Sequence, residues 1–294
     1  MSDLPVVLLL GRTGQVGSEV ERLLAGRAAL VAPDETVLDL RDEAALRAAV
    51  RKAVPAAIVN AAGYTAVDRA ESEPDVAHAV NAVAPGVLAE EAARLGALFV
   101  HYSTDYVFDG AKGAPYVETD IPAPLGEYGR SKLEGERRVL AAGGRDVVLR
   151  TSWMYGPRGQ NFLLTMLRLF EERDEVRVVD DQVGAPTTAG YLAEATLRVV
   201  EAQPPLSACG LYHLTAGGVT SWYGFARRIH ELDRRPSKKC ARVVPIRTSD
   251  YPTAARRPAW SVLNCLKFVG AFGFPQRPWE ELLAETMAEV VGQG

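Results

Sequence analysis

The sequence has few of the residues that mark several common classes of protein. Cysteine occurs three times in 294 residues, as Cys209, Cys240 and Cys265, and histidine occurs only four times. An odd number of widely spaced cysteines matches neither a disulfide framework nor a cysteine-rich metal site, and a reducing cytoplasm is their natural location. We therefore expect no bound metal and a cytoplasmic protein.

Long apolar runs and an excess of positive charge are also missing. The apolar run at the start of the chain, Val6–Leu10, is far too short to cross a bilayer, and it lacks the basic residues and cleavage site of a signal peptide. The formal net charge is −4 and the pI is about 5.7, so nothing indicates a basic surface for nucleic acid. We expect neither membrane insertion nor nucleic-acid binding.

Lysine is scarce as well. Only six of the 33 basic residues are lysine, and one of them, Lys132, follows Tyr128 by four residues in a segment typical of a helix start. On a helix this spacing brings two side chains to one face, about 5–6 Å apart at Cβ. The pair is a surface accident, a stabilising contact, or a proton donor beside the cation that adjusts its pKa.

Short apolar runs alternate with amphipathic segments over the first 150 residues. This alternation predicts an α/β fold with a Rossmann-type, doubly wound parallel sheet that is covered on both faces. We expect buried strands at 5–11, 29–33, 56–60, 97–103 and 146–150, and helices at 15–26, 42–53, 74–95 and 128–142.

The pattern is looser after residue 150. It predicts helices near 160–172 and 187–202, a strand at 210–215 and two further helices close to the C-terminus. We expect a dinucleotide-binding domain over 1–150 and a smaller, interleaved substrate-binding lobe over 151–294, with residues of roughly 175–215 returning to the first domain.

A glycine-rich turn follows the first predicted strand directly. Gly11, Gly14 and Gly17 form a G-x-x-G-x-x-G pattern between that strand and the first helix. Glycines in this position allow a tight turn and let backbone N–H groups approach a pyrophosphate at the helix N-terminus. The pattern predicts a dinucleotide cofactor, with Gln15 and Val16 in the same turn.

Two charged residues near this turn make opposite predictions about the cofactor. Asp34, just past the second strand, is placed to bind the 2′-hydroxyl of the adenosine ribose, which favours NAD. Arg12, within the turn, is suited to the additional phosphate of NADP. The sequence therefore predicts NADPH or NADH without deciding between them.

Further cofactor contacts are expected at the ends of the next strands. Asp39 and Leu40 precede a helix at the level of the adenine, although Asp39 is equally well read as a turn residue. Gly63, Tyr64 and Thr65 leave the third strand in a segment of mostly small residues, where backbone can pass close to a cofactor.

The fourth strand ends in Thr104 and Asp105, and ligands of open α/β sheets bind beyond the carboxyl ends of the strands. An unperturbed tyrosine has a pKa of about 10 and exchanges protons slowly near neutral pH. A nearby cation lowers that pKa, and a threonine hydroxyl can hold a carbonyl oxygen in place. Thr104, Tyr128 and Lys132 therefore form a candidate proton-transfer group.

These motifs resemble those of the extended short-chain dehydrogenases/reductases. More narrowly, GRTGQVG, VNAAGYTAVDRAES, HYSTDYVFDG, YGRSKLEGE, RTSWMYG, DDQVGAPT, GLYHLTAGG and YPTAARRP resemble the dTDP-4-dehydrorhamnose reductases, which reduce the 4-keto group of dTDP-4-dehydro-β-L-rhamnose with a nicotinamide cofactor. The matching blocks cover the chain from residue 5 to beyond residue 215.

The resemblance implies a role for each matching residue. Tyr128 would protonate the reacting oxygen, Lys132 would bind the nicotinamide ribose and lower the pKa of Tyr128, and Thr104 would hydrogen-bond the same oxygen. It also implies cofactor contacts from Tyr102 and from the glycine turn, and substrate contacts from Asp105, from Trp153 as a stacking surface for the sugar, and from Arg257 at the diphosphate. Trp153 as a plain core residue and Arg257 as surface charge remain open.

The family also includes members with magnesium held by glutamates at a dimer interface. Glu19 matches one such position, but Gly190 stands where another glutamate is expected, so we predict no metal. The expected partner is a dTDP-sugar, and a homodimer is left open.

Two alternative functions remain open at this point. One is a nucleotide-sugar epimerase of the same superfamily, which uses the same three catalytic residues. A 4,6-dehydratase is disfavoured, because Thr104-Asp105 is followed by Tyr106 where a dehydratase needs glutamate. The other is a non-catalytic regulatory subunit resembling that of methionine adenosyltransferase.

Overall fold

A central sheet of six strands, all parallel, organises the computed structural model, which describes residues 4–291. Residues 1–3 of the predicted range 1–150 and residues 292–294 of the predicted range 151–294 lie outside the described residues. The strands are β1 (Val6–Leu10), β2 (Ala29–Val31), β3 (Ala57–Asn60), β4 (Leu98–Thr104), β5 (Arg145–Thr151), β6 (Met154–Tyr155), β7 (Glu175–Val179), β8 (Val183–Gly184), β9 (Thr187–Thr188), β10 (Gly210–His213), β11 (Thr220–Ser221) and β12 (Arg242–Ile246).

Helices connect these strands. They are α1 (Gln15–Leu24), α2 (Glu43–Ala53), α3 (Val67–Ala70), α4 (Pro74–His78), α5 (Ala84–Leu95), α6 (Glu127–Ala141), α7 (Phe162–Glu172), α8 (Ala189–Ala202), α9 (Trp222–Leu232), α10 (Leu266–Phe272) and α11 (Trp279–Val291). The order across the central sheet is β10-β5-β4-β3-β1-β2, which is the doubly wound arrangement.

Strand β1 shows how the sequence builds two hydrophobic layers. Val7 and Leu9 belong to a core that extends into α8, α9 and α11, whereas Leu8 and Leu10 belong to a second core with α2 and α5. Successive side chains of a strand point to opposite faces, so a continuous apolar strand is required where both faces are covered. The prediction of a parallel sheet covered on both faces is confirmed.

Strand β2 departs from the prediction of a buried strand. It spans only three residues at the edge of the sheet, and Val31 is 40% exposed. An edge strand is covered by fewer neighbours than a central one, and apolar composition alone does not reveal its position in the sheet.

Besides several two-residue strands, the sequence reasoning missed three longer elements of the second half that pack together. Strand β7 pairs in parallel with β12, and α9 packs against both. A signal for α9 was present, because Phe225, Ala226 and Ile229 repeat at helical spacing and the Ser221 side chain caps the helix by accepting from Gly224 N at 3.0 Å. Strand β12 was harder to find because it contains Pro245, which is unusual in a strand.

The two halves of the chain are joined through the sheet and through one core. Strand β10 pairs with β5, and α8 packs against α1, so segments of the second half complete the layers begun by the first. Tyr155 and Phe225 lie in the same hydrophobic core as Val7 and Leu9.

Helices α4 and α5 form one continuous helical segment that is interrupted by a π-helical turn at Ala79–Val83. Such turns insert one residue into a helix and often occur at functional sites. The turn carries Asn81, whose side chain lies against the site described next.

Candidate active site

A cavity of about 580 Å³ opens at the carboxyl ends of β1, β3, β4 and β5. It contains most of the predicted site residues, which come from the glycine turn, the strand ends and α6. The lining residues among those predicted are Gly11, Gly14, Gln15, Val16, Asp34, Leu40, Gly63, Thr65, Tyr102, Thr104, Asp105, Tyr128, Lys132 and Trp153.

The other predicted site residues lie outside this lining. Gly17 is buried beneath the turn, Asp39 pairs with Arg41 at 2.7 Å on the surface, and the Tyr64 hydroxyl donates to Glu73 at 2.7 Å. Arg257 forms an ion pair with Asp68 at 2.7 Å.

The glycine turn can hold a pyrophosphate. Gly11 has φ of +80°, a conformation that side chains rarely adopt, and Gly14 is the N-cap of α1 and has no capping side chain. A Cβ on Gly17 would lie 1.9 Å from the Gly11 carbonyl oxygen, so only glycine permits this close packing. The N–H groups of the first turn of α1 therefore face the cavity without a side-chain acceptor, which is the donor set that an anion requires.

The end of the cavity near β2 is acidic and exposed. Thr36 donates to Asp34 from its backbone N–H and its hydroxyl, and these bonds lower the pKa of Asp34. Glu35 also lines the cavity and accepts from the Thr13 hydroxyl. Arg12, the residue suited to the phosphate of NADP, instead pairs with Glu21 at 2.7 Å.

Helix α6 carries the tyrosine and lysine into the opposite, buried end. A Cβ on Gly129 would lie 2.2 Å from the Tyr106 carbonyl oxygen, so the helix start packs tightly on the turn after β4. Lys132 is 6% exposed, and its Nζ donates to the Tyr102 carbonyl at 2.5 Å. Tyr128 and Lys132 line the same cavity, as their spacing in the sequence predicts.

Burial dominates the electrostatics of the pair. Burial raises the pKa of Tyr128 to about 12, and a hydrogen bond with Thr104 opposes that shift. The ammonium of Lys132 is turned to the Tyr102 carbonyl, and a role for Lys132 in lowering the pKa of Tyr128 stays a prediction. Burial lowers the pKa of Lys132 itself to about 8.

Thr104 and Asp105 lie at the end of β4 and are buried, with exposed fractions of 6% and 2%. The Thr104 hydroxyl donates to Asp105 Oδ1 at 3.0 Å and accepts from Tyr106 N at 3.1 Å. Burial raises the pKa of Asp105 to about 7. This carboxyl is therefore far easier to protonate than an ordinary aspartate.

Trp153 is covered on one face and lines the cavity with part of its ring. Its indole stacks on Trp222 with ring centroids 3.7 Å apart, and a Cβ on Gly184 would lie 2.6 Å from Cε2 and 2.8 Å from Cζ2 and Nε1. Gly184 therefore packs close to the nitrogen side of the indole. The stacking of a sugar on this ring stays a prediction.

Two groups of supporting residues were missed by the sequence reasoning. The Asn81 amide accepts from Tyr64 N at 2.9 Å and donates to the Tyr64 carbonyl at 3.0 Å, which fixes the loop after β3. Behind the site, Glu136 forms a buried ion pair with Arg150 at 2.6 Å and accepts from Ser103. A polar asparagine within the apolar stretch AVNAV was the available signal for the first group.

Neither a metal centre nor a membrane span is evident in the described part of the chain. Residues 4–291 contain no group of three potential metal ligands, and Glu19 pairs with Arg22 at 2.8 Å. No helix in that range is both long and apolar enough to cross a membrane.

Comparison with known proteins places this geometry in a family. The family model described as RmlD substrate binding domain matches residues 6–291. A dTDP-4-dehydrorhamnose reductase from Burkholderia thailandensis is 44% identical over 98% of this chain and 99% of its own length. The chain belongs to the dTDP-4-dehydrorhamnose reductase family.

Solved structures of this family superpose closely on the chain. The reductase from Clostridium acetobutylicum has a TM-score of 0.91 at 36% identity and covers 97% of this chain and 99% of its own. The reductase from Bacillus anthracis, solved in complex with NADP, has a TM-score of 0.90 at 34% identity and the same coverage. The predictions of a Rossmann-type α/β fold and of family membership are confirmed.

Proposed function

We propose that this chain is an NADPH- or NADH-dependent oxidoreductase that reduces the 4-keto group of dTDP-4-dehydro-β-L-rhamnose to give dTDP-L-rhamnose. The observation that carries the proposal is the convergence of Thr104, Tyr128 and Lys132 in one buried cavity beside a glycine turn. Membership of the reductase family supports the choice of substrate.

The residues of the cavity fit a nicotinamide dinucleotide. The free N–H groups at the start of α1 would hold its pyrophosphate, and Gly63 and Thr65 would line the groove along which it lies. Lys132 would turn from the Tyr102 carbonyl to the nicotinamide ribose, since its Nζ lies at the buried end of the same cavity. The bound cofactor would supply the hydride for reduction of the carbonyl.

Tyr128 is the proton donor in this proposal. With a pKa raised to about 12 by burial, its phenol carries its proton throughout the neutral pH range, as a donor must before the reaction begins. As negative charge develops on the 4-oxygen, Tyr128 transfers its proton to that atom. Positive charge on Lys132 then stabilises the phenolate that remains.

Thr104 holds the reacting oxygen in position by donating a hydrogen bond. The small hydroxyl at the end of β4 is fixed by the Tyr106 N–H at 3.1 Å, so it needs little reorganisation when substrate binds. The diphosphate and sugar would extend from this point towards Trp153 and Arg257.

The experiment that tests the proposal follows the oxidation of NADPH and of NADH in the presence of the 4-keto sugar. Wild-type protein should turn over and form dTDP-L-rhamnose, whereas Tyr128→Phe should lose about 10²–10⁴-fold in kcat, the usual contribution of general acid catalysis. Tyr251→Phe is the matched control because Tyr251 is 60% exposed and far from the cavity lining.

Absence of turnover with either cofactor, in wild-type protein that still binds dinucleotide, would contradict the proposal. Tightly retained NAD together with interconversion of nucleotide-sugar epimers would then favour an epimerase. Dinucleotide binding without either activity would favour the regulatory-subunit alternative.

A further inference from the structure

The hydroxyl of Thr104 has one proton, and two acceptors compete for it. A hydroxyl offers one donor and two lone pairs. The Thr104 hydroxyl donates to Asp105 Oδ1 at 3.0 Å, while one of its lone pairs accepts from Tyr106 N at 3.1 Å. A hydroxyl that donates to Asp105 has no proton left for the oxygen that Tyr128 protonates.

The surroundings of Asp105 do not favour a carboxylate. Its side chain is 2% exposed, and among the described residues its Oδ2 has no hydrogen-bond partner. An ionised carboxylate that is buried with an unsatisfied oxygen is costly, whereas the neutral acid carries no charge and gains a donor. The cost is removed if the carboxyl is protonated.

The groups around the carboxyl come from three segments. Tyr106 lies in the turn after β4, Tyr128 and Lys132 lie on α6, and Ser261 belongs to the segment before α10. Ser261 and Thr104 favour the ionised form, but burial outweighs them and raises the pKa of Asp105 to about 7.

Neither nearby cation offsets this burial. The ammonium of Lys132 donates to the Tyr102 carbonyl, and Arg257, which lies beside Tyr106, is paired with Asp68 at 2.7 Å. The carboxyl thus faces two neutral phenols, and the hydrogen bonds that favour its ionised form, from Ser261, Thr104 and backbone N–H groups, are outweighed by burial.

We propose that Asp105 is a positioning residue that works as a neutral acid, donating its own proton to Thr104 so that Thr104 turns its hydroxyl proton to the substrate carbonyl. This inference rests on the proposed reductase function. Protonated Asp105 Oδ1 donates to the free lone pair of Thr104, Tyr106 N keeps the other, and the Thr104 proton is released towards the cavity. When Asp105 is ionised, the Thr104 hydroxyl donates its hydrogen bond to Asp105 instead of to the substrate carbonyl.

The kinetic consequence is a loss of the chemical step as the pH rises. The neutral fraction of an acid with a pKa near 7 falls about fivefold between pH 7 and pH 8. We expect the single-turnover rate of cofactor oxidation by wild-type enzyme to fall by a similar factor. A rate that is constant from pH 6 to pH 8.5 would overturn the proposal without any variant.

Asp105→Asn separates this explanation from a simple structural role. The amide donates to Thr104 at every pH, so the ratio of the rates at pH 6 and pH 8.5 should fall well below that of the wild type and keep only the part that comes from deprotonation of Lys132, whose pKa is about 8. A ratio equal to that of the wild type, or a folded variant with no measurable turnover at any pH, would overturn the proposal. Asp75→Asn is the control, since Asp75 is exposed on α4 and should keep the wild-type ratio.

Infrared spectroscopy tests the protonation without activity. The difference between the wild-type and Asp105→Asn spectra should show the C=O stretch of a protonated carboxyl at pH 6 that disappears by pH 8.5, and the band of Asp146, whose pKa is raised to about 6, cancels in that difference. The absence of this band would overturn the inference even if the enzyme is an active reductase. The band without turnover would instead contradict the proposed function and leave a neutral Asp105 established.

Discussion

Asp34 and Asp105 line the same cavity, yet their pKa values move in opposite directions. Asp34 lies at the open end near β2, where hydrogen bonds from Thr36 lower its pKa. Asp105 lies at the closed end, where burial raises its pKa to about 7. An aspartate is therefore a fixed negative charge at the open end of the cavity, as Asp34, and a titratable acid at the closed end, as Asp105.

Other groups follow the same division. On the exposed surface outside the cavity lining, Asp39 pairs with Arg41, and hydrogen bonds from Arg41 lower its pKa to about 2. At the closed end burial lowers the pKa of Lys132 to about 8 and raises that of Tyr128 to about 12. The open end suits recognition of a charged cofactor, and the closed end suits proton transfer.

The largest effect is expected from a substitution that disrupts the glycine turn. Gly17→Ala would put a methyl group 1.9 Å from the Gly11 carbonyl oxygen, so α1 must move away from β1. We expect a stability loss of more than about 3 kcal/mol and loss of dinucleotide binding. Thermal unfolding and cofactor titration measure both effects.

The control for that variant is Gly270→Ala in α10, where a Cβ would meet no atom within 4 Å. It should be neutral or slightly stabilising, since alanine is favoured over glycine in a helix by about 0.5–1 kcal/mol. Equal stability of Gly17→Ala and Gly270→Ala would contradict the packing described for the turn.

The second prediction sharpens the contrast between the two aspartates through the pH dependence of stability. Because the folded-state pKa of Asp105 is raised to about 7, the folded protein binds a proton that the unfolded chain has already released. This stabilisation is fully present below the unfolded pKa and is lost as the pH rises through about 7. Between pH 5 and pH 7 the loss is roughly 2 kcal/mol, since the slope of about 1.4 kcal/mol per pH unit halves as the pH reaches the pKa of the folded state.

Asp105→Asn isolates that contribution. Denaturant unfolding at a series of pH values should show the wild type losing stability relative to the variant over this range. Burial also raises the pKa of Asp146, to about 6, but that group is present in both proteins and cancels in the difference. Parallel stability curves for the two proteins would mean that Asp105 is ionised throughout.

A third prediction concerns the Trp153 indole at the substrate side of the cavity. Gly184→Ala would place a methyl group 2.6 Å from Trp153 Cε2, which forces the ring to shift. Overpacking of this kind costs about 1–3 kcal/mol, so we expect KM for the nucleotide sugar to rise about tenfold. The KM for the cofactor should change much less.

Gly190→Ala serves as the control because a Cβ there meets no atom within 4 Å. Steady-state kinetics with each substrate varied in turn distinguish the two effects. If Gly184→Ala raised the KM for the nucleotide sugar and the KM for the cofactor equally, the prediction that Trp153 contacts the sugar rather than the cofactor would be wrong.

The smallest expected effect lies at the open end. Arg12 is already paired with Glu21, whereas Asp34 and Glu35 line the cavity, so we expect NADH to be used at least as well as NADPH. Asp34→Asn should shift the ratio of kcat/KM values about fivefold towards NADPH, because it removes one carboxylate that repels the additional phosphate while water screens the charge. A preference for NADPH that is unaffected by the substitution would show that Asp34 is remote from the ribose.

How much could be predicted from the sequence also differs between the two parts of the site. Gly11, Gly14 and Gly17, and the Tyr128–Lys132 pair, are short-range patterns whose geometry follows from a turn or a helix. The Asp68–Arg257 ion pair joins residues 189 positions apart, and the Trp153–Trp222 stack likewise depends on how distant segments pack. No local pattern specifies such contacts.

Burial is the feature of the site that the sequence did not reveal. The sequence predicted that Lys132 lowers the pKa of Tyr128, because it placed a cation near a phenol. It could not predict how far the site is removed from water, with Lys132 only 6% exposed, or that the ammonium donates to the Tyr102 carbonyl. Desolvation acts on each group separately and outweighs their attraction.

The ionisation of Lys132 tests this account most directly. The chain has only six lysines, so NMR with lysine labelled at Cε gives few signals, and Lys132→Met identifies the one of interest. We expect that signal to titrate with a pKa of about 8 because the ammonium is buried. A pKa at or above about 10.4, the value of an unperturbed lysine, would contradict the conclusion that burial controls protonation at the catalytic end.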